Sequence, residues 1–539
     1  MSQLFVAHPS TIIASSDAPR CVAGSRSISP EWLYVLISIL FGPAFLCLTP
    51  PFQAPDENAH FLRSLQISEG RIVSVKHGNA TGDYLSSSIL EFVATFRPLR
   101  FNPDAKTSYS QILVSHEFQF NDHDRVFIGF SNAAIHPPLT YLPQALGMFL
   151  ARQFSSSLLV TFYAGRCLNL VFATVLMFWA IRLTPIGKWT FTVLALTPMT
   201  VFLSASLSSD ALTNGFSFLL IAYVLRCAAG PVRSLTRSNV LRLALLSCAV
   251  ALSKQAYFLL PVCYLLIPVS RLGASRSYWI GFSVVMGATF LSVSTWAIIL
   301  RGIYSPADAM VGMDPYLQLH FILTHPLEFA GAVLRTVSQA PMYLQQYIGV
   351  LGWLDTRLPR WLVIAELILI AVVCWQDTSL HLRFAQCLSA IGIATVVCAT
   401  VMVIIYVTWE PVGSGVIHLQ GRYFIPVGPL MAIAISGLKI AVIPSPSRTM
   451  AAGRIITAAL VPCLLAATFY SVYDRYFVRS LTPVSLQRVT RQMRLMNEIS
   501  EQHVRISGAT TTLKLVQSHI VSSGRRIHRT GFDNKATML

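Results

Sequence analysis

Long apolar stretches recur along this chain, separated by short loops that carry arginine and lysine, and few soluble folds can accommodate that pattern. About eleven stretches are long enough, or nearly so, to cross a bilayer: 31–50, 159–181, 189–207, 211–229, 241–254, 256–270, 278–300, 361–376, 384–408, 423–441 and 455–473. They predict an all-α, polytopic integral membrane protein. Charge supports this. Only 12% of the 539 residues are charged, against about 25% in soluble domains. The net charge of +17 therefore does not point to nucleic acid. The cations cluster in short loops and in the tail, the pattern that holds a membrane topology, and membrane lipids are the expected partner.

Positive-inside counting places the N-terminal segment 1–30 in the cytoplasm and predicts an uncleaved signal anchor at 31–50. Two large hydrophilic segments, 51–158 and 301–360, then fall on the outer side. Ser253-Lys254-Gln255 is expected to be a tight outer hairpin, with one long tilted helix as the competing reading. The tail 474–539, with Arg488, Arg491, Arg494, Arg525, Arg526 and Arg529, is set apart as a basic segment. None of the ten cysteines lies between Pro51 and Pro138, so no disulfide framework or metal spacing is expected. Asn79-Ala80-Thr81 fits a glycosylation sequon, a match that chance supplies easily.

Chemistry concentrates where apolar stretches meet water. Ala54-Pro55-Asp56-Glu57-Asn58-Ala59-His60-Phe61-Leu62-Arg63 follows the first span directly. With Pro55 at a helix start, Asp56 and Glu57 would occupy the first turn. Asp56, His60 and Arg63 would then share one face. The plain alternative is a capped helix with a local ion pair, and spacing alone does not choose between the two. Asp210, after Ser204–Ser209, reads by itself more readily as a helix cap, and Lys254 as a snorkelling anchor. Arg422, in Gln420-Gly421-Arg422-Tyr423-Phe424-Ile425-Pro426, runs against the positive-inside bias and calls for an anionic partner. Its planar fork suits a phosphate, with Tyr423 at headgroup depth. His136-Pro137-Pro138-Leu139-Thr140-Tyr141-Leu142-Pro143 opens a short amphipathic piece expected to lie in the interface. Loop 301–360 is expected to form a lid. Taken together, carboxylates would face cations on one side of the membrane, as a site for a lipid-linked phosphate requires.

The Asp56, His136, Ser204–Asp210, Lys254-Gln255-Ala256-Tyr257 and Arg422 motifs, in this order, resemble the bacterial membrane-protein family catalogued as domain of unknown function 2142. The resemblance covers roughly 31–470. That family is similar to the GT-C superfamily of glycosyltransferases. The resemblance implies a GT-C-like domain over 31–473 in a bacterial inner membrane and a polyprenyl-phosphate sugar donor. It also implies a catalytic carboxylate just after the first span, which is Asp56, with Glu57 as its understudy. His60, Arg63, His136, Asp210, Lys254, Gln420, Arg422 and Tyr423 would then bind substrate. No cofactor is expected, with a divalent metal left open. The acceptor would be a cell-envelope glycan, lipid or protein. The alternatives are a flippase for a lipid-linked saccharide and a surface-polysaccharide polymerase or ligase. The flippase is disfavoured because its charges would sit near the bilayer midplane between repeats.

Overall fold

A computed structural model describes residues 29–230, 236–272, 274–303, 312–377, 384–437 and 447–478. The N-terminal segment up to residue 28, the basic tail beyond Val478 and the loop arginines Arg233 and Arg383 lie outside the described residues. The chain divides into one unit ending at Phe477 and a second beginning at Val478. Every described helix and strand lies in the first unit.

Among the described residues, six helices are long and apolar enough to cross a membrane: Pro30–Leu48, Leu158–Leu183, Asp210–Ala229, Ser275–Ile299, Phe384–Trp409 and Ile456–Phe477, the last being part of a longer helix from Ser447. Two further apolar helices, Arg237–Ser253 and Arg360–Gln376, have 17 residues each, at the short end of what spans. The remaining apolar stretches are broken, and proline does most of the breaking. Pro198 splits 189–207 into Lys188–Ala195 and Pro198–Ser204, because the residue before a proline avoids the helical region. Between Gln255 and Leu272 the chain winds through 3-10 turns containing Pro261 and Pro268 rather than a span. Lys254 is extended, with φ −156°, so neither a long tilted helix nor a hairpin of two helices forms there. The stretch from Gly421 opens as a 3-10 segment through Pro426 before a ten-residue helix, Gly428–Gly437.

The Asp210–Ala229 helix lies at the centre of the bundle, with 83% of its apolar window buried, whereas only 22% is buried for Ser275–Ile299. Pro30–Leu48 packs on Leu158–Leu183 through Gly42, where a Cβ would come within 2.9 Å of Leu170.

Segment 51–158 is not purely helical. Val75–His77, Ala80–Ser86 and Arg125–Gly129 form a three-stranded antiparallel sheet. The hairpin closes at Gly78-Asn79, where Gly78 takes φ +61°, a left-handed value that glycine reaches without a Cβ clash. Glu69 ties this sheet to the rest by accepting from Arg71, Arg125 and Arg152. Beneath the segment, Phe52, Phe61, Phe92, Phe96 and Phe162 form an aromatic core. The amphipathic piece after His136 is a 3-10 turn, Pro138–Tyr141, followed by the helix Leu142–Arg152. Leu142, Leu146, Phe149 and Leu150 are exposed there. Loop 301–360 contributes the helices Pro315–Thr324, Pro326–Val337 and Ala340–Gly349.

One buried contact fixes the turn after the first span. Arg166, in Leu158–Leu183, donates from Nε and Nη2 to the two Glu57 oxygens at 2.8 and 2.6 Å. Its remaining donors reach the carbonyls of Leu46, Thr49 and Pro50. Glu57 also accepts from the backbone N–H groups of Leu207 and Ala54. Both side chains are fully buried. Arg166→Ala leaves the buried Glu57 charge without its cation and removes one donor from each of three carbonyls. It is expected to cost about 3–5 kcal/mol, read as a lower thermal unfolding midpoint of the detergent-purified protein. An unchanged midpoint would contradict this role.

Candidate functional site

Asp56 is the N-cap of the helix Glu57–Ser68, with left-handed φ 59°. The helix thus begins later than a Pro55 start would put it, and the two carboxylates diverge. Glu57 turns inward to Arg166. Asp56 turns to the far end of the sequence: Arg422 Nη2 donates to its Oδ2 at 2.9 Å. Arg422 Nη1 lies 3.2 Å from Asp210 Oδ2, and Lys254 Nζ donates to Asp210 Oδ1 at 2.7 Å. Asp56, Arg422, Asp210 and Lys254 therefore form one chain of alternating charge, drawn from four separate motifs.

Each motif has a local reason for its residues. Gly421 passes so close to the Ala340–Gly349 helix that a Cβ would stand 2.1 Å from Tyr343 O. Its N–H bonds Gln346 Oε1 at 2.8 Å, which fixes where the next residue emerges. Gln420 Oε1 accepts from Arg422 Nε at 2.7 Å. The Tyr423 ring lies beneath both cations, 4.9 Å from Lys254 Nζ and 5.4 Å from the Arg422 guanidinium, within cation–π range. Tyr257 Oη donates to Tyr423 O at 2.8 Å, which accounts for the Lys254-Gln255-Ala256-Tyr257 motif. Ser209, not Asp210, is the N-cap of the central helix, so the Asp210 carboxylate is left for the cations.

His60 Nδ1 lies 2.9 Å from Tyr141 Oη. Arg63 leaves this cluster: it donates to Gln66 and Ser74 and, at 3.0 Å, to His136 O. The expected shared face of Asp56, His60 and Arg63 thus splits, with Arg63 holding the His136 turn from behind. The His136 Nδ1 is buried with no partner among the described residues. The structure accordingly brings Asp56, His60, Asp210, Lys254, Gln420, Arg422 and Tyr423 together, sets Glu57 and Arg63 behind them, and leaves His136 at their edge.

Electrostatics separates the groups. Burial alone would raise the Asp56 carboxyl, but Arg422, His60 and Lys254 outweigh it and hold it below the usual carboxylate range. Burial pushes His60 down to about 4 against the pull of Asp56 and Asp210, and His136 down to about 3. Both rings are neutral at pH 7. Among the described residues no group of three or more His, Cys, Asp and Glu side chains gathers around a metal-sized space.

Arg166 belongs to none of the motifs read from the sequence. Its signal is nonetheless present there, since a lone arginine in an apolar span needs a partner. Near the site, Phe424 and Val427 help to line a cavity of about 1040 Å³, together with Tyr347, Cys398 and Met402. Leu344, Trp375 and Ile435 on its rim are exposed.

Residues 39–431 match the family described as "Predicted membrane protein (DUF2142)". The chain belongs to this family. The match takes in all four charged motifs, from Asp56 to Arg422, and stops short of the tail. No curated protein matches the chain.

The depressed histidines give the candidate site a pH signature. His60 is held at about 4 in the folded protein, against about 6.5 in an unfolded chain. Its contribution to stability is therefore complete above pH 6.5 and is lost as pH falls through 4. The unfolding midpoint should fall over that window, and less steeply in His60→Gln than in the wild type. Equal slopes would contradict the burial of a neutral ring.

Proposed function

We propose that the protein is a membrane glycosyltransferase that moves a sugar from a polyprenyl-phosphate donor to a hydroxyl of an envelope glycan, lipid or protein acceptor. The observation that carries this reading is the convergence of Asp56, Asp210, Lys254 and Arg422 near an apolar cavity whose lining includes Phe424, two residues from Arg422. A charged cluster at the head of a lipid-facing cavity suits an amphiphile with an anionic head and an isoprenoid tail.

In this reading Arg422 and Lys254 bind the donor phosphate. Two carboxylates already neutralise these two cations, so an entering phosphate must compete for one of them. Asp56 is the arm to yield, because its side chain is 37% exposed whereas that of Asp210 is 9% exposed. Once released, Asp56 accepts the acceptor's hydroxyl proton. The acceptor oxygen bonds the anomeric carbon and the bond from that carbon to the phosphate oxygen breaks. The electron pair leaves on the phosphate, whose charge Arg422 and Lys254 hold. Glu57 takes no part, since its oxygens are occupied by Arg166 and two backbone amides. His60, braced by Tyr141, lines the site as a neutral hydrogen-bonding group.

Two substitutions test the assignment in purified protein supplied with a polyprenyl-phosphate sugar and acceptor. Asp56→Asn should bind donor but transfer sugar at least about a hundredfold more slowly. Arg422→Lys keeps the charge and loses the fork, and donor affinity should fall by about 1–3 kcal/mol. Undiminished transfer by Asp56→Asn would remove the base. A flippase would show no covalent transfer in any form.

A further inference from the structure

Among the described residues, four that are not glycine have clearly left-handed φ: Phe52 at 65°, Asp56 at 59°, Phe101 at 55° and Leu354 at 62°. Bulky side chains rarely adopt such values, and strain of this kind persists where surrounding structure enforces it. The four are not scattered. Trp353 Nε1 donates to Phe52 O at 2.9 Å, in the turn that leads to Asp56. Leu354 follows Trp353 in sequence. The Phe101 ring stands edge-on to Trp353 at 5.5 Å. Three of the four therefore surround one indole, and the fourth, Asp56, lies four residues on from Phe52.

A cation sits on the same indole. The Arg100 guanidinium is 3.6 Å from the Trp353 ring centroid and 4.8 Å from that of Phe101. Among the described residues it forms no ion pair or side-chain hydrogen bond, and Asp56 is the carboxylate whose charge it feels. Both Arg100 and Phe101 are exposed. The shelf beneath them is built. Arg475 donates to Asp355 Oδ2 at 2.8 Å and to Leu99 O at 2.7 Å, and Asp355 Oδ1 accepts from Trp353 N–H at 3.2 Å. One buried ion pair thus holds the residue before Arg100 and the turn carrying Trp353 in register, while Arg100 itself is exposed.

We infer that Arg100, Phe101 and Trp353 form an acceptor subsite at the mouth of the Asp56 site, and that it takes a saccharide bearing an anionic group. The exposed Phe101 ring offers an apolar face to sugar C–H groups. Arg100, flattened on the indole, keeps its edge for a carboxylate or phosphate on that sugar, for which the guanidinium fork is suited. The donor phosphate has its own cations in Arg422 and Lys254, so Arg100 is left for the other substrate. A lysine could not stack in this way, and a neutral acceptor would leave the cation unused.

This inference rests on the proposed transferase reading, and its test is separable from it. The full chain in lipid nanodiscs is titrated with methyl β-glucuronide, methyl β-glucose 6-phosphate and methyl β-glucoside, with binding followed by saturation-transfer NMR. An undecaprenyl-phosphate titration runs in parallel. At least one anionic sugar should bind about fivefold or more tightly than the neutral one, a difference typical of one charge-assisted hydrogen bond. Which one it is distinguishes carboxylate from phosphate. Arg100→Gln should abolish that preference and leave undecaprenyl-phosphate binding unchanged. Phe101→Ala should weaken all three sugars and keep the anionic preference. No preference in the wild type, or one that survives Arg100→Gln, overturns the subsite while the donor site stands. Loss of undecaprenyl-phosphate binding in the wild type overturns the transferase reading itself.

Discussion

The buried pair of Glu57 and Arg166 is the constraint on which the site depends. A carboxylate and a guanidinium with no exposure are stable only if every remaining donor and acceptor is met. Here they are met by the end of the first span, by the turn before Asp56 and by the N–H of Leu207. That last contact matters most. Leu207 lies three residues before Asp210, so the same carboxylate that sets the Asp56 turn also sets the start of the central helix. Asn169, one turn further along the Arg166 helix, reinforces it by donating to Ser206 O and Ser208 O. The start of segment 51–158 and the central helix are thereby locked to one another before any substrate group is considered.

From that lock the division of labour between adjacent acids follows. Neighbours on a helix point about 100° apart, and a left-handed cap widens the difference. Glu57 is held inside as structure, and Asp56 is delivered outward to Arg422. The apolar cavity lined by Phe424 places an apolar surface near the charged one, and the Trp353 shelf carries a further cation that feels the Asp56 charge. Strain at Phe52, Asp56, Phe101 and Leu354 is the local cost of bringing these pieces within reach of one carboxylate.

Much of this was legible in the sequence. Apolar length gave the membrane class and the long helices, and the charged motifs at the ends of apolar stretches named the residues that converge. The departures have physical causes. Prolines at 198, 261, 268 and 426 break stretches whose hydropathy alone reads as spans, so hydropathy marks more stretches than the six long apolar helices among the described residues. The small sheet was hidden because its strands are short and lack a clean apolar alternation. Helical spacing put Arg63 on the face of Asp56 and His60, and the family resemblance named Glu57 as understudy to Asp56, yet neither says which buried partner a long side chain will find. Arg166 and Arg100 belong to no motif. The first declares itself as a charge within an apolar span, and the second becomes visible only when the fold sets it on Trp353.

If the Asp56–Arg422–Asp210–Lys254 cluster receives a lipid-linked phosphate, the most direct measurement is a cryo-electron microscopy structure of the full chain in nanodiscs containing undecaprenyl phosphate. Phosphate density is expected within hydrogen-bond distance of Arg422 and Lys254, with the tail passing Phe424 into the apolar cavity. A lipid phosphate bound elsewhere, with Arg422 still paired to Asp56 and the cavity empty of its tail, would contradict that role.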